Sequence, residues 1–336
     1  MMITNNTFDN GPIFLVGMNG SGTTMLADNL GNSPHLYVFP LETRIIPWLI
    51  KHLNDYGDLK EPVNLERLLS DFSKSRALRK VAPDLGITVS EVAEPTLSGV
   101  VDAVFRKIAI SKKGVSRWAE KSPMNIQHMI DIAEMIPTAR FLHIYRDGRD
   151  AAISNKRRWN KPLRWSMYRW AQIVSQGRID GGLLGTERYF ELSYEDLTKE
   201  PEKWLNRICI FIGIPYEDDL LRSSMPYFNS LSRLKNETKS GDILPNSEKW
   251  KTHLQPRDLI ALEKLGGRLL SELGYNTRFP NSQDMPSAWQ IRLWELSDYL
   301  TKILHLSKRH RQFMRSPALL WRLIRDGLRY KRTLRH

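Results

Sequence analysis

One cysteine, Cys209, is all the 336-residue chain contains, so no internal disulfide can form and a reducing compartment is the expectation. No apolar run approaches the roughly 18 residues that a membrane span needs. The start, Met1–Gly11, is polar rather than basic and then apolar, so a secretory leader is not expected from it. A soluble cytoplasmic protein is therefore expected. His35, His128 and His143 are scattered without metal-ligand spacing, and no metal site is expected from them.

Charge of one sign is also missing from most of the chain. The formal net charge is +13, but residues 302–336 hold eleven Lys/Arg against Asp326 alone, leaving only +3 for the other 301 residues. Basicity is a property of the tail, and the body gives no ground for expecting a nucleic-acid partner. Within the tail, Ala318–Tyr330 gathers Leu320, Trp321, Ile324 and Leu328 on one side of a helix and Arg322, Arg325 and Arg329 on the other. Such a helix suits an anionic membrane surface. It equally suits packing on the body or on a second copy, as in a homodimer.

What is present begins with Gly17-Met18-Asn19-Gly20-Ser21-Gly22-Thr23-Thr24, which follows the apolar run Ile13–Val16 and leads into the helical stretch Thr24–Leu30. Strand, glycine-rich turn and helix in that order form an anion cradle, with backbone N–H groups converging at the positive end of a helix. A nucleoside-triphosphate loop would end in Gly-Lys-Ser/Thr, the lysine reaching the terminal phosphates. Here that lysine is absent and two hydroxyls follow Gly22 instead. The loop suits a terminal phosphate or sulfate ester.

Further along, Leu65, Leu68, Leu69 and Phe72, then Val100, Val101, Val104, Phe105 and Ile108, repeat at helical spacing. A helix is expected over Pro123–Met135, a buried strand over Arg140–Tyr145, another over Tyr189–Tyr194, and an amphipathic helix over Thr198–Ile212. Strands separated by helices predict an α/β fold, a parallel sheet flanked by helices.

Three ordered blocks resemble the PAPS-dependent sulfotransferases, which move a sulfuryl group from 3′-phosphoadenosine 5′-phosphosulfate (PAPS) to an acceptor. The first is Phe14–Thr24. The second is Phe141–Ser154, with Tyr145-Arg146-Asp147-Gly148-Arg149-Asp150 and then Ser154. The third is Glu191–Leu197, followed by Pro201 and Phe211–Ile214. The segment Leu41-Glu42-Thr43-Arg44-Ile45-Ile46-Pro47 is similar, more narrowly, to that of tyrosylprotein sulfotransferases.

The resemblance implies a P-loop-like sheet and a PAPS donor without a metal. Gly20, Ser21, Gly22, Thr23 and Thr24 would hold the 5′ end, Arg146 and Ser154 the 3′-phosphate, and Tyr194 the adenine. Lys239, in Lys239-Ser240-Gly241, resembles the stretch that closes over the same phosphate. Glu42 would be the general base, Arg44 an organiser of the acceptor site, and Lys121 a charge against the transferring sulfate. Gly20 stands where the family places arginine or lysine, and Trp48 where tyrosylprotein enzymes place an arginine for acidic peptides. Because the basic tail suits work beside a membrane, the acceptor is expected to be a hydroxyl on a saccharide, glycolipid or other envelope precursor, with a tyrosylprotein sulfotransferase as the alternative reading. A sulfotransferase domain over 1–280, with a helical insertion at about 49–117, and a basic amphipathic helical tail over 281–336 complete the expectation. A nucleotide kinase and a non-catalytic nucleotide-binding relative are the rival readings.

Overall fold

The computed structural model describes residues 11–222 and 246–309, with only the course of the helix for 300–309. Five strands, β1 (Ile13–Val16), β2 (Tyr37–Phe39), β3 (Trp118–Lys121), β4 (Arg140–Tyr145) and β5 (Tyr189–Ser193), form one sheet in the order β2-β3-β1-β4-β5. Every neighbouring pair is parallel. The central strand β1 is an unbroken apolar run because both of its faces are covered, as parallel sheets require.

Alternation along the strands divides the core between the two faces. Phe14, Val16, Trp118 and Phe141 face one layer, where Phe14 stacks on Phe141 at 5.6 Å between ring centroids and meets Trp118 edge-on at 6.0 Å. Ile13, Leu15, Leu142 and Ile144 face the other.

That second layer is closed by α1 (Thr23–Gly31), α9 (Tyr194–Lys199) and α10 (Pro201–Ile212), through Leu26, Leu30, Leu197, Leu205 and Ile208. The first is closed by α5 (Leu97–Lys113) and α8 (Leu163–Leu184), among others. Phe105 of α5 stacks on Trp118 at 4.3 Å. Between β2 and β3 the chain also forms α2 (Ile46–Lys51), α3 (Pro62–Ser73) and α4 (Arg76–Val81). The apolar positions read at helical spacing in α3 and α5 are buried.

Two sequence expectations change in detail. Thr198–Ile212 is two helices, α9 and α10, divided at Glu200 because Pro201 opens the second and disfavours a helical backbone just before it. Pro123–Met135 begins as a 3₁₀ turn over Pro123–His128 and becomes the α-helix α6 only at Met129–Met135. After β4 comes α7 (Gly148–Trp159). The tail helix expected over Ala318–Tyr330 lies outside the described residues. Among those described, no helix is long and apolar enough to cross a membrane.

Candidate active site

Three adjacent strand ends carry the site. In register, Leu15 of β1 lies opposite Lys121 at the end of β3 and opposite Leu142 of β4, which runs on to Arg146. The cradle rises between them. Open parallel sheets present ligand crevices at this edge, where strand order reverses.

The cradle needs glycine where the backbone turns left-handed: φ is +94° at Gly20 and +102° at Gly22, the residue that caps α1. The Ser21 N–H donates to the Met18 carbonyl at 3.1 Å and the Leu26 N–H to Gly22 at 3.0 Å, fixing the turn onto the helix. Ser21 and Thr23 are buried and Thr24 partly so. The Ser21 hydroxyl has no hydrogen-bond partner.

Ser154 and Tyr194, two residues expected from the sequence to belong to the site, both approach this loop. A Cβ added to Gly20 would lie 3.3 Å from the Ser154 Cβ, and one added to Gly22 would lie 2.5 Å from the Tyr194 ring. The Arg146 guanidinium carbon sits 4.5 Å from the centroid of the same ring. Thus Gly20, Gly22, Arg146, Ser154 and Tyr194, spread over more than 170 positions of sequence, line one continuous surface.

Arg146 is buried. One of its terminal nitrogens lies 3.3 Å from Asp150 and also donates to the Asn246 carbonyl, while its Nε has no partner. Asp150 in turn accepts from the Trp250 N–H at 2.9 Å. Burial raises the Asp150 carboxyl above its ordinary range, against the pull of Arg146. Behind it, Arg149 pairs with Asp147 at 2.7 Å and with Glu263 at 2.6 Å, and its guanidinium lies 3.7 Å from the Trp250 ring centroid. Arg149 is thereby spent on holding the start of α7 to the helix Pro256–Glu272, leaving Arg146 as the arginine of this segment with an unpaired donor.

On the acceptor side, the Glu42 carboxylate lies between two cations, 3.5 Å from Lys121 Nζ and 2.8 Å from Arg44 Nε. Lys121 is buried at the end of β3, whereas Arg44 is exposed and its backbone is left-handed, φ +55°. The structure therefore brings Glu42, Arg44 and Lys121 together. Lys239 lies outside the described residues.

Two carboxylates escaped the sequence reading. Glu120 is fully buried and accepts four hydrogen bonds: from the Thr43 N–H at 3.1 Å, the Thr43 hydroxyl at 2.9 Å, the Ser122 hydroxyl at 2.5 Å and the Asn125 amide at 3.1 Å. Burial pushes its pKa up, and these donors oppose the shift. Thr43 is the residue between Glu42 and Arg44, so Glu120 anchors the acceptor loop to the sheet. Asp28, one turn along α1 from Thr24, has a buried carboxylate oxygen without a partner; burial raises its pKa to about 7, with Lys121 pulling the other way. The available signal for Glu120 was a charged residue inside the strand Trp-Ala-Glu-Lys. For Asp28 there was none.

The parallel sheet and the glycine-rich turn between β1 and α1 define an α/β protein of the P-loop-like kind. A family model described as "Sulfotransferase family" matches residues 12–218, and the chain belongs to that family. It is 26% identical over 293 residues to a protein-tyrosine sulfotransferase of Drosophila melanogaster, covering 82% of this chain and 54% of that one. It is also 24% identical over 284 residues to protein-tyrosine sulfotransferase A of Caenorhabditis elegans, covering 80% and 69%. The chain thus spans about half the length of the fly relative. Among solved structures, the sulfotransferase domain of the Synechococcus PCC 7002 olefin synthase superposes with a TM-score of 0.55 at 22% identity, over 79% of this chain and 95% of that one. The sulfotransferase domain of the curacin biosynthetic pathway gives 0.54 at 21%, over 79% and 98%.

Proposed function

We propose that the chain transfers a sulfuryl group from PAPS to a hydroxyl acceptor. The observation that carries this reading is the close approach of Ser154 to Gly20 and of Tyr194 to Gly22, which supports a 5′-anion cradle beside a 3′-anion grip. Two buried donors, the Ser21 hydroxyl and Arg146 Nε, are left without partners. Buried donors are rarely left so, and phosphate oxygens would satisfy both.

The bound donor supplies an activated sulfuryl group on a diphosphoadenosine leaving group. Transfer of this kind spreads charge over equatorial oxygens, so positioning and electrostatics dominate. Glu42 takes the acceptor proton as the oxygen attacks sulfur. Lys121 is placed to face the charge that develops as the sulfur–oxygen bond to the 5′-phosphate breaks, a role that Gly20 cannot fill. Arg44 steadies Glu42 from the solvent side. The Gly22–Thr24 N–H groups and the Thr23 and Thr24 hydroxyls hold the 5′ end, Arg146 and Ser154 the 3′-phosphate, and the Tyr194 ring the adenine.

The acceptor we assign is a hydroxyl of a saccharide, glycolipid or other envelope precursor. A tyrosylprotein acceptor is the second reading, favoured by the Glu42–Pro47 segment and by the relatives' names. Against it, Trp48 is half exposed and packs on His52 at 4.6 Å where a cation for acidic peptides would be wanted. A relative that binds nucleotide without turnover would show donor affinity and no transfer.

Isothermal titration with 3′,5′-diphosphoadenosine tests the donor assignment. Arg146→Ala should weaken binding at least tenfold, since a charge-assisted bond to phosphate contributes about 1.5–3 kcal/mol. Affinity indifferent to Arg146, or a preference for magnesium–ATP, would remove the assignment.

A further inference from the structure

Over its described side chains, 288–299, the helix Ala288–Arg309 meets the body through Trp294 and Asp298. There Trp294 meets Trp165 at 6.4 Å and Tyr168 at 6.3 Å between ring centroids, and buried Asp298 lies 3.8 Å from Lys161. The opposite side exposes Trp289 at 63%, Leu293 at 53% and Leu296 at 46%, with Met285 at 71% just ahead of the helix. Among the described residues, four of the eleven exposed large apolar side chains fall in this stretch of twelve positions. At 3.6 residues per turn, Trp289, Arg292, Leu293 and Leu296 share an arc of roughly 100°.

Within the helix the charge of this face has one sign, although Asp284 is exposed beside Met285 just ahead of it. From Ser287 to Ser297 the exposed positions include Arg292 and no carboxylate, while Glu295 is half-buried. Immediately beyond come the eleven Lys/Arg of residues 302–336, opposed by Asp326 alone. An apolar patch of this kind needs a cover. A second copy paired in parallel on this face would bring two such cationic segments to the same end, which is unfavourable. An anionic bilayer takes both features at once: tryptophan and leucine enter the headgroup boundary, and the cations meet lipid phosphates.

We propose that the Trp289–Leu293–Leu296 face lies on an anionic lipid surface, with the basic segment beyond residue 301 as its electrostatic partner. The inference stands apart from the sulfuryl-transfer reading, because none of these residues belongs to the donor or acceptor site.

Co-sedimentation of the full chain with phosphatidylcholine vesicles carrying about one-third phosphatidylglycerol tests it, with pure phosphatidylcholine as control. Binding should require the anionic lipid, fall in ~0.5 M salt, and weaken at least about tenfold in the Trp289→Ser/Leu293→Ser double variant. Affinity for 3′,5′-diphosphoadenosine should stay unchanged in that variant, which reports that it folds. Depth is read with Leu293→Cys carrying an environment-sensitive label. Labelling is selective because the native thiol, Cys209, is buried and its pKa is pushed up to about 11. The label's emission should shift to the blue on anionic vesicles. No binding, binding that the double variant leaves intact, or a solution dimer that the double variant dissolves would each overturn the proposal, the last assigning the face to a second copy.

Discussion

Glu120 never reaches solvent, yet the acceptor loop depends on it. Two of its four hydrogen bonds tie Thr43, and with it Glu42 and Arg44, to the carboxyl end of β3, and the other two, from Ser122 and Asn125, hold the carboxylate in place. Glu120→Gln keeps the size but replaces one acceptor oxygen by an amide donor, so the loop should shift. We expect turnover to fall about 10–100-fold, since misplacement near 1 Å costs that much, with diphosphoadenosine affinity unchanged. Equal losses of both would place its effect on the whole fold instead.

Asp28 carries a different signature. Its folded pKa of about 7 lies above the ordinary 3.8, so the native chain holds a proton that the unfolded chain releases between those values. Stability drawn from the neutral form is therefore full at low pH and lost as pH rises through that window. Asp28→Asn stays neutral. Its melting temperature relative to wild type should climb from pH 4 to pH 7 and level off above, as thermal scans across that range will show; a flat difference would contradict the assignment.

At the scale of elements, the loop between β1 and α1 is bound to geometry that only glycine satisfies. Gly22→Ala places a Cβ into the Tyr194 ring from a left-handed backbone, and Tyr194 supports Arg146. A loss of about 1–3 kcal/mol in stability is expected, together with weaker diphosphoadenosine binding, both measured on the same variant. Gly20 is nearly as confined, which gives a steric reason why a longer side chain before Ser21 would disturb Ser154.

Elements also show what was legible in advance. Ile13–Val16 announces itself as a strand because its apolar run is uninterrupted, and Arg140–Tyr145 because Phe141, Leu142, Ile144 and Tyr145 crowd a short segment with only His143 between them. Tyr37–Phe39 is three residues long, and Trp118–Lys121 ends in two charges that serve the site, so neither gave a periodic signal. Donor-side residues could be read because they fall in compact blocks at strand ends. Glu120 could not, since its partner Thr43 is 77 positions away and only folding joins them.

For the whole molecule, charge and chemistry are segregated. The described site draws on residues 17–154 and on Tyr194, whereas residues 310–336 carry eight of the Lys/Arg. Deleting 310–336 should therefore leave diphosphoadenosine affinity within about twofold by titration, because attraction between charges is screened beyond roughly 10 Å. A larger loss would bring the tail to the donor.

The strand order has a consequence for biosynthesis. β1 leaves the ribosome first, but both of its neighbours, β3 and β4, lie beyond residue 117. Until about residue 121 has been translated the most apolar strand of the nascent chain has no ladder to join, and until about residue 145 it lacks its second neighbour. Slow codons or a holding chaperone over that interval would decide how much of the polypeptide escapes aggregation.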